Sequence, residues 1–212
     1  MTIWIIFFLI AAYLCASVSS AILICRALGK PDPRTLGSTN PGATNVRRIA
    51  GKPAAAAVLF FDVAKGALPT YLAFLAGLPD FAIGLVAISA CLGHMYPIFF
   101  QFRGGKAVAT ALGAMLPMGW YLAFALIATW SIVYKVSKYS SLAAVVTVSL
   151  APFYTYYYKP QFTLEVIMLS VLIVIKHQKN IVRLMNGTEL RNKQQIDTHE
   201  SLSPARRTTI DS

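Results

Sequence analysis

Between the first two apolar runs of the chain lies Leu36-Gly37-Ser38-Thr39-Asn40-Pro41-Gly42-Ala43-Thr44-Asn45-Val46-Arg47-Arg48. Small hydroxyl, amide and glycine residues alternate, and two arginines close the stretch. Nearly every side chain here needs a polar partner, which a lipid-facing helix cannot offer. Glycine lets backbone N–H groups approach an anion, and arginine adds forked, charge-assisted hydrogen bonds. The stretch reads as a compact loop suited to a phosphorylated ligand. Two further polar clusters follow. One is Gly93-His94-Met95-Tyr96-Pro97 with Phe102-Arg103-Gly104-Gly105-Lys106-Ala107-Val108-Ala109-Thr110. The other is Lys176-His177-Gln178-Lys179-Asn180-Ile181-Val182-Arg183-Leu184 with Gly187-Thr188-Glu189.

Gly104-Gly105-Lys106 opens a short apolar helix, and free N–H groups at a helix start favour phosphate. It is not a P-loop, because Phe100 stands where the first glycine is required and Ala107 replaces the Ser/Thr. A plain turn with a membrane-flanking lysine explains the triplet equally well. His94 could act as a base near neutral pH. A structural or ligand-orienting role is favoured, since no carboxylate lies nearby in sequence to orient it. Acyl-CoA-dependent glycerolipid acyltransferases place aspartate five residues after a histidine. Here Phe99, Val182 and Pro204 follow His94, His177 and His199 at that distance, so that class is disfavoured. A serine-hydrolase elbow is absent around Ser38. Asp62 and Lys65 share a helical face inside an apolar run, as an internal ion pair or as substrate contacts. Ser140-Ser141 reads as a helix N-cap or as part of the site. Near the three clusters the carboxylates in sequence are Asp32 and Glu189.

Only packed apolar helices could bring these clusters together. The 212 residues are 57% hydrophobic and 13% charged, with a mean hydropathy of +0.61. Soluble domains are about a quarter charged. The balance predicts an all-α integral membrane protein. The formal net charge of +11 then reads as basic loops at a membrane face. Nucleic-acid binding is disfavoured, since no soluble basic domain is visible. Cys15, Cys25 and Cys91 lie in apolar runs without metal-ligand spacing and read as packing residues. The first run lacks a basic leader, which predicts a retained span.

The apolar segments are Ile3–Cys25, Ala54–Ala76, Phe81–Phe100, Ala107–Tyr134, Leu142–Tyr158 and Phe162–Ile175. Ala107–Tyr134 is too long for one span and is broken at Leu116-Pro117-Met118-Gly119. Two helices there make a seven-helix transmembrane bundle. The shorter, Ala107–Leu116, spans about 15 Å and is too short to cross alone. Lysines and arginines crowd the first, third and fifth connections and the tail, while the second and fourth carry none. Seven helices with the N-terminus outside and the C-terminus cytoplasmic place every basic cluster on one side. Five would break the alternation. Residues 1–190 read as the membrane domain and 191–212 as a polar, mobile cytoplasmic tail. Tyr154–Tyr158 reads as a membrane-boundary belt.

Taken together, the clusters resemble the PlsY family, bacterial membrane acyl-phosphate:glycerol-3-phosphate acyltransferases. The matching text is Gly-Ser-x-Asn-x-Gly-Ala-Thr-Asn-x-x-Arg, Gly-His-x-x-Pro, Gly-Gly-Lys-x-Val-Ala-Thr, and His-x-x-Asn-Ile-x-Arg-Leu with Gly-Thr-Glu, in that order. The family usually carries glycine where Thr39 and Ala107 stand. The resemblance covers about Ile10 to Arg191. It implies transfer of a fatty acyl group from acyl phosphate to the 1-hydroxyl of glycerol 3-phosphate, giving lysophosphatidic acid and phosphate, in a bacterial inner membrane. It implies catalytic roles for Ser38, Arg48, Lys106 and Asn180. Substrate binding falls to Asn40, Asn45, Arg47, Gly104, Gly105, Ser141 and His177. Loop bracing falls to Thr44, His94 and Glu189, with Asn45 sharing it. No metal, organic cofactor or obligate protein partner is implied; the partners are the two substrates and the bilayer. The competing class is a transporter of a phosphorylated metabolite. It is disfavoured because the polar residues gather on one face, with only Asp62–Lys65 deep.

Overall fold

The computed structural model describes residues 1–191, so the tail expected at 191–212 lies outside the described residues apart from Arg191. Nine α-helices are found among them. They are α1 (Thr2–Ala16), α2 (Ser20–Ala27), α3 (Ala43–Leu75), α4 (Asp80–Met95), α5 (Val108–Met115), α6 (Trp120–Ser137), α7 (Ser140–Tyr158), α8 (Thr163–Lys176) and α9 (Gln178–Met185).

All seven expected apolar segments are helical, but the chain divides differently at three places. The first segment is not one rod. It breaks between α1 and α2 at Ser17-Val18-Ser19, and the released carbonyl of Val18 accepts a hydrogen bond from Lys65 Nζ at 3.1 Å. The tail adds α9, whose Asn180 is buried. The back half of the expected Gly37–Arg48 loop is helical, because α3 starts at Ala43 with Gly42 as its N-cap. That first stretch is set off from the rest of α3 by a break at Gly51 (φ 85°). Pro53, which cannot donate to a helical carbonyl, stands two residues later. The expected break at Leu116–Gly119 is present, as a 3₁₀ turn at Leu116–Met118 with Gly119 before α6.

Four stretches are long and apolar enough to cross a membrane: Thr2–Ala27, Ala43–Leu75, Asp80–Phe100 and Trp120–Ser137. Pro160–Lys176 and Gln178–Met185, bent by 58°, add a fifth if read as one broken span. α5 is held inside the bundle by close backbone contact with α3. A Cβ at Gly66 would overlap the Thr110 carbonyl, and one at Gly113 would overlap that of Val63. Such small-residue seams are how helices interlock where lipid offers no hydrophobic drive. Val86, Met95, Met115, Leu122, Leu169 and Ile173 form the centre of the core. Phe60, Phe124, Ile132 and Phe153 point outward, as a hydrocarbon solvent permits. Tyr156 and Tyr157 are also exposed, in keeping with a boundary belt.

Candidate active site

A cavity of about 470 Å³ lies among the helices. Ser38, Arg48, Lys106 and Asn180 all line it, although the first loop, α3, the third connection and α9 respectively supply them. Asn40, Thr44, Asn45, His94, Ser141, His177 and Glu189 share the wall. Much of the remaining wall is apolar, including Leu59, Leu112, Met115, Leu126 and Trp130. The cavity therefore joins cationic and hydrogen-bonding groups to a hydrocarbon-like surface.

The buried amide of Asn45 organises the first loop. Its Oδ1 accepts the Ser38 N–H at 3.0 Å, and its Nδ2 donates to the carbonyls of Pro33 and Leu36, both at 2.9 Å. These bonds spend both amide hydrogens within the loop. Asn45 thus ties the first loop together while also lining the cavity. Ser38 is held by its main chain, which leaves the hydroxyl for the cavity. Thr44 Oγ1 and Ser140 Oγ share a hydrogen bond at 3.1 Å, tying α3 to α7. The alternative of an N-cap at Ser140-Ser141 does not hold. Tyr139 is the N-cap of α7 and no side chain caps it. Ser140 is turned to Thr44 of α3 and Ser141 to Glu189.

The two arginines separate cleanly. Arg48 is buried, and its Nη2 donates to the carbonyls of Leu190 at 3.1 Å and Arg191 at 3.4 Å. Its Nε is buried without a hydrogen-bond partner among the described residues, in a side chain that lines the cavity. Such an unspent guanidinium donor suits an anion. Arg47 does not line the cavity. Successive helical residues point about 100° apart, and at this turn of α3 it is Arg48 that faces the cavity.

Gly104 and Gly105 are also absent from the cavity wall. They pack on the end of α4. A Cβ on Gly104 would overlap the His94 carbonyl oxygen, and one on Gly105 would overlap its Nε2. The Gly105 N–H donates to the same carbonyl at 3.1 Å. The glycines pack closely on His94, and Lys106 directly after them reaches the cavity. Lys106 has no ion pair among the described residues. Burial is the main force pushing its pKa down to about 8; Glu189 opposes the shift and the cations of Arg183 and Arg48 add to it.

His94 braces this turn through its main-chain carbonyl. Its Nδ1 is buried without a hydrogen-bond partner among the described residues, 3.7 Å from Asp62 Oδ1. The sequence expectation that only Asp32 and Glu189 lie near the clusters is overturned, because Asp62 lines the same cavity. Asp32 instead pairs with Arg34 at 2.7 Å.

Glu189 is the clasp of the third cluster. Oε1 accepts from Ser141 Oγ at 2.7 Å and Asn180 Nδ2 at 2.6 Å, and Oε2 accepts from Arg183 Nε at 2.7 Å. Burial works to raise its pKa, but these three donors outweigh it and hold the carboxyl below the usual range. Glu189 thus ties α7 and α9 to the segment that follows α9. Ser141 and Asn180, expected to hold substrate, line the cavity while engaged by this carboxylate. His177 Nδ1 donates to the Ile173 carbonyl at 2.8 Å, which leaves Nε2 as an acceptor.

Asp62, singled out in the sequence with Lys65 as an internal ion pair or a substrate contact, is paired with Lys65 and also lines the cavity; its other partner, Ser20, was not singled out. The signal was Asp62-x-x-Lys65 inside an apolar run, where charges are costly and mark function by default.

The glycerol-3-phosphate acyltransferase family profile matches residues 6–187. The chain is 60% identical over 181 residues to a glycerol-3-phosphate acyltransferase of Shewanella sp. (strain MR-4), covering 85% of this chain and 89% of that one. It is 56% identical over 189 residues to the glycerol-3-phosphate acyltransferase of Idiomarina loihiensis, covering 89% and 96%. Its fold is similar to the crystal structure of PlsY, an integral membrane glycerol 3-phosphate acyltransferase, in its glycerol 3-phosphate form. The TM-score is 0.85 at 35% identity, over 88% of this chain and 94% of that one. The lysophosphatidic acid form of PlsY superposes with a TM-score of 0.82 at 33% identity, with the same coverage.

Proposed function

Because the chain belongs to the glycerol-3-phosphate acyltransferase family, and is an integral membrane enzyme of that activity, we propose that its donor is an acyl phosphate and that the described cavity is its active site. The observation that carries this reading is convergence. Ser38, Arg48, Lys106 and Asn180 are far apart in the chain yet line one space, with an apolar wall beside them. One substrate is a small dianion. The other has an anionic head and a hydrocarbon tail. The mixed wall suits both.

The 1-hydroxyl oxygen of glycerol 3-phosphate attacks the acyl carbonyl carbon. The new ester C–O bond forms as the bond from that carbon to the phosphate oxygen breaks, and phosphate leaves with the electron pair. The hydroxyl proton passes to a phosphate oxygen of the donor. The leaving group is weakly basic, so no strong protein acid is needed. Lys106 and Arg48 offset the phosphate charges, and Ser38 and Asn180 fix the reacting groups. His177 Nε2 accepts from the glycerol backbone and orients it. Proximity and preorganised charge supply the acceleration. The apolar wall receives the acyl chain, and no cofactor enters the scheme.

The enzyme resides in a bacterial inner membrane, with seven apolar segments, the N-terminus outside and the cavity open to the cytoplasm. The basic connections support that orientation. Purified protein is incubated with glycerol 3-phosphate and either palmitoyl phosphate or palmitoyl-CoA. Lysophosphatidic acid and inorganic phosphate are expected with palmitoyl phosphate alone. Equal turnover from the CoA thioester overturns the donor assignment.

A further inference from the structure

Next to the cavity is a buried polar cluster that the acyl-transfer scheme leaves unused. Asp62 and Lys65, one turn apart on α3, are paired at 2.9 Å with both side chains less than a tenth exposed. Ser20 Oγ donates to the same Asp62 Oδ1 at 2.8 Å. Lys65 Nζ also donates to the Val18 carbonyl, freed by the break between α1 and α2. A buried pair is expensive to desolvate, and well-packed apolar residues often hold helices as well. Helix packing alone therefore does not account for it.

Two observations aim the cluster at the site. Asp62 and His94 both line the cavity. The orphan Nδ1 of His94 lies 3.7 Å from Asp62 Oδ1, too far for a hydrogen bond but close for an N–H facing a carboxylate. On the other edge of the ring, Nε2 packs so close to Gly105 that a Cβ there would overlap it. The imidazole is thus wedged between a fixed carboxylate and the glycine turn that leads into Lys106. We propose that Asp62 is a positioning residue for acyl transfer. Anchored by Ser20 and Lys65, it orients the His94 ring, and the ring sets Gly105 and Lys106 against the phosphate seat. This rests on the assignment of the cavity as the active site.

The test removes the ion pair as a pair, so no lone charge is left buried. Asp62→Leu/Lys65→Met, Asp62→Asn/Lys65→Met, His94→Ala and Asp62→Leu/Lys65→Met/His94→Ala are purified beside the wild type. Each is assayed for both substrate KM values, kcat and the Ki of inorganic phosphate, and melted with and without inorganic phosphate. The leucine variant should raise one phosphate-substrate KM and the phosphate Ki about tenfold, with kcat less affected and the phosphate-free melting point nearly unchanged. The asparagine variant keeps an acceptor oxygen and should recover most of that loss. The triple variant should be no worse than His94→Ala. Additive losses, an asparagine variant as poor as the leucine one, or wild-type constants in the leucine variant would each overturn the proposal. So would a lowered melting point with unchanged constants, which assigns a packing role. Phosphate-induced melting shifts report the coupling without turnover, so failure of the acyl-transfer reading is seen separately.

Discussion

Replacing Glu189 by glutamine separates the clasp from the chemistry. The carboxylate accepts from Ser141, Asn180 and Arg183 at 2.6–2.7 Å, and its side chain is only 7% exposed. In Glu189→Gln the amide oxygen keeps Ser141 and Asn180. The amide nitrogen then meets Arg183 Nε donor to donor. The loss is one charge-assisted hydrogen bond, about 1.5–3 kcal/mol. Arg183 is 34% exposed and can rehydrate, which places the cost near ~2 kcal/mol. For a chain of this size that lowers the melting point by about 4–8 °C. The pH dependence has a definite sign. The folded-state carboxyl is held below the usual range, so its contribution is complete above the ordinary glutamate pKa of about 4.3. It is lost as pH falls through the depressed value, and the gap between wild type and variant closes in acid. Turnover of the folded fraction should stay within about tenfold of wild type, because the hydroxyl proton goes to the donor phosphate. Melting curves at several pH values and acyl-phosphate turnover on the same preparations test both halves. A folded Glu189→Gln protein as inactive as a Lys106 deletion of charge would refute the reasoning and make Glu189 the proton acceptor.

Thr39 and Ala107 sit at φ 55° and 59°, in the left-handed region that favours glycine. Thr39→Gly should relieve about 1–2 kcal/mol of strain, less about 0.5–1 kcal/mol for glycine's freedom in the unfolded chain, so its melting point rises by a few degrees; a fall contradicts the strain argument. Ala107→Gly should be near neutral, because its methyl is 1% exposed in the core and burial worth about 0.8 kcal/mol is forfeited; a gain equal to that of Thr39→Gly would count against that estimate. With the Lys106 ammonium titrating at about 8 in the ligand-free protein, kcat/KM should decline as pH rises through that value. Lys106→Arg stays charged and should shift any residual activity's alkaline limb upward, whereas an unmoved limb assigns it to another group.

Much of the site could be read along the chain because its residues are types that apolar helices exclude. Ser38, Arg48, Lys106 and Asn180 stand out from their flanks, and the proline at 117 marked the α5–α6 break. What stayed hidden depends on helical phase and on contact across the bundle. Arg47 and Arg48 are equivalent in composition, and only the start of α3 at Ala43 turns one inward. Gly104 and Gly105 looked like an anion cradle, yet their missing side chains make room for His94. Asp62 was visible as a costly intramembrane charge, but its proximity to His94 comes from α3 packing beside α4. Asn45 looked like a ligand because an amide can bind phosphate or a loop, and only the positions of Pro33, Leu36 and Ser38 decide between them.

Lys106→Ala is the most direct test of the cationic cavity, because Lys106 has no ion pair among the described residues whose loss would confuse the result. Purified Lys106→Ala is assayed with palmitoyl phosphate and glycerol 3-phosphate, with folding checked by melting. Removing one preorganised cation from a water-poor site should lower turnover by about 10²–10³-fold while the protein stays folded. Near-wild-type turnover in a folded protein would contradict the account.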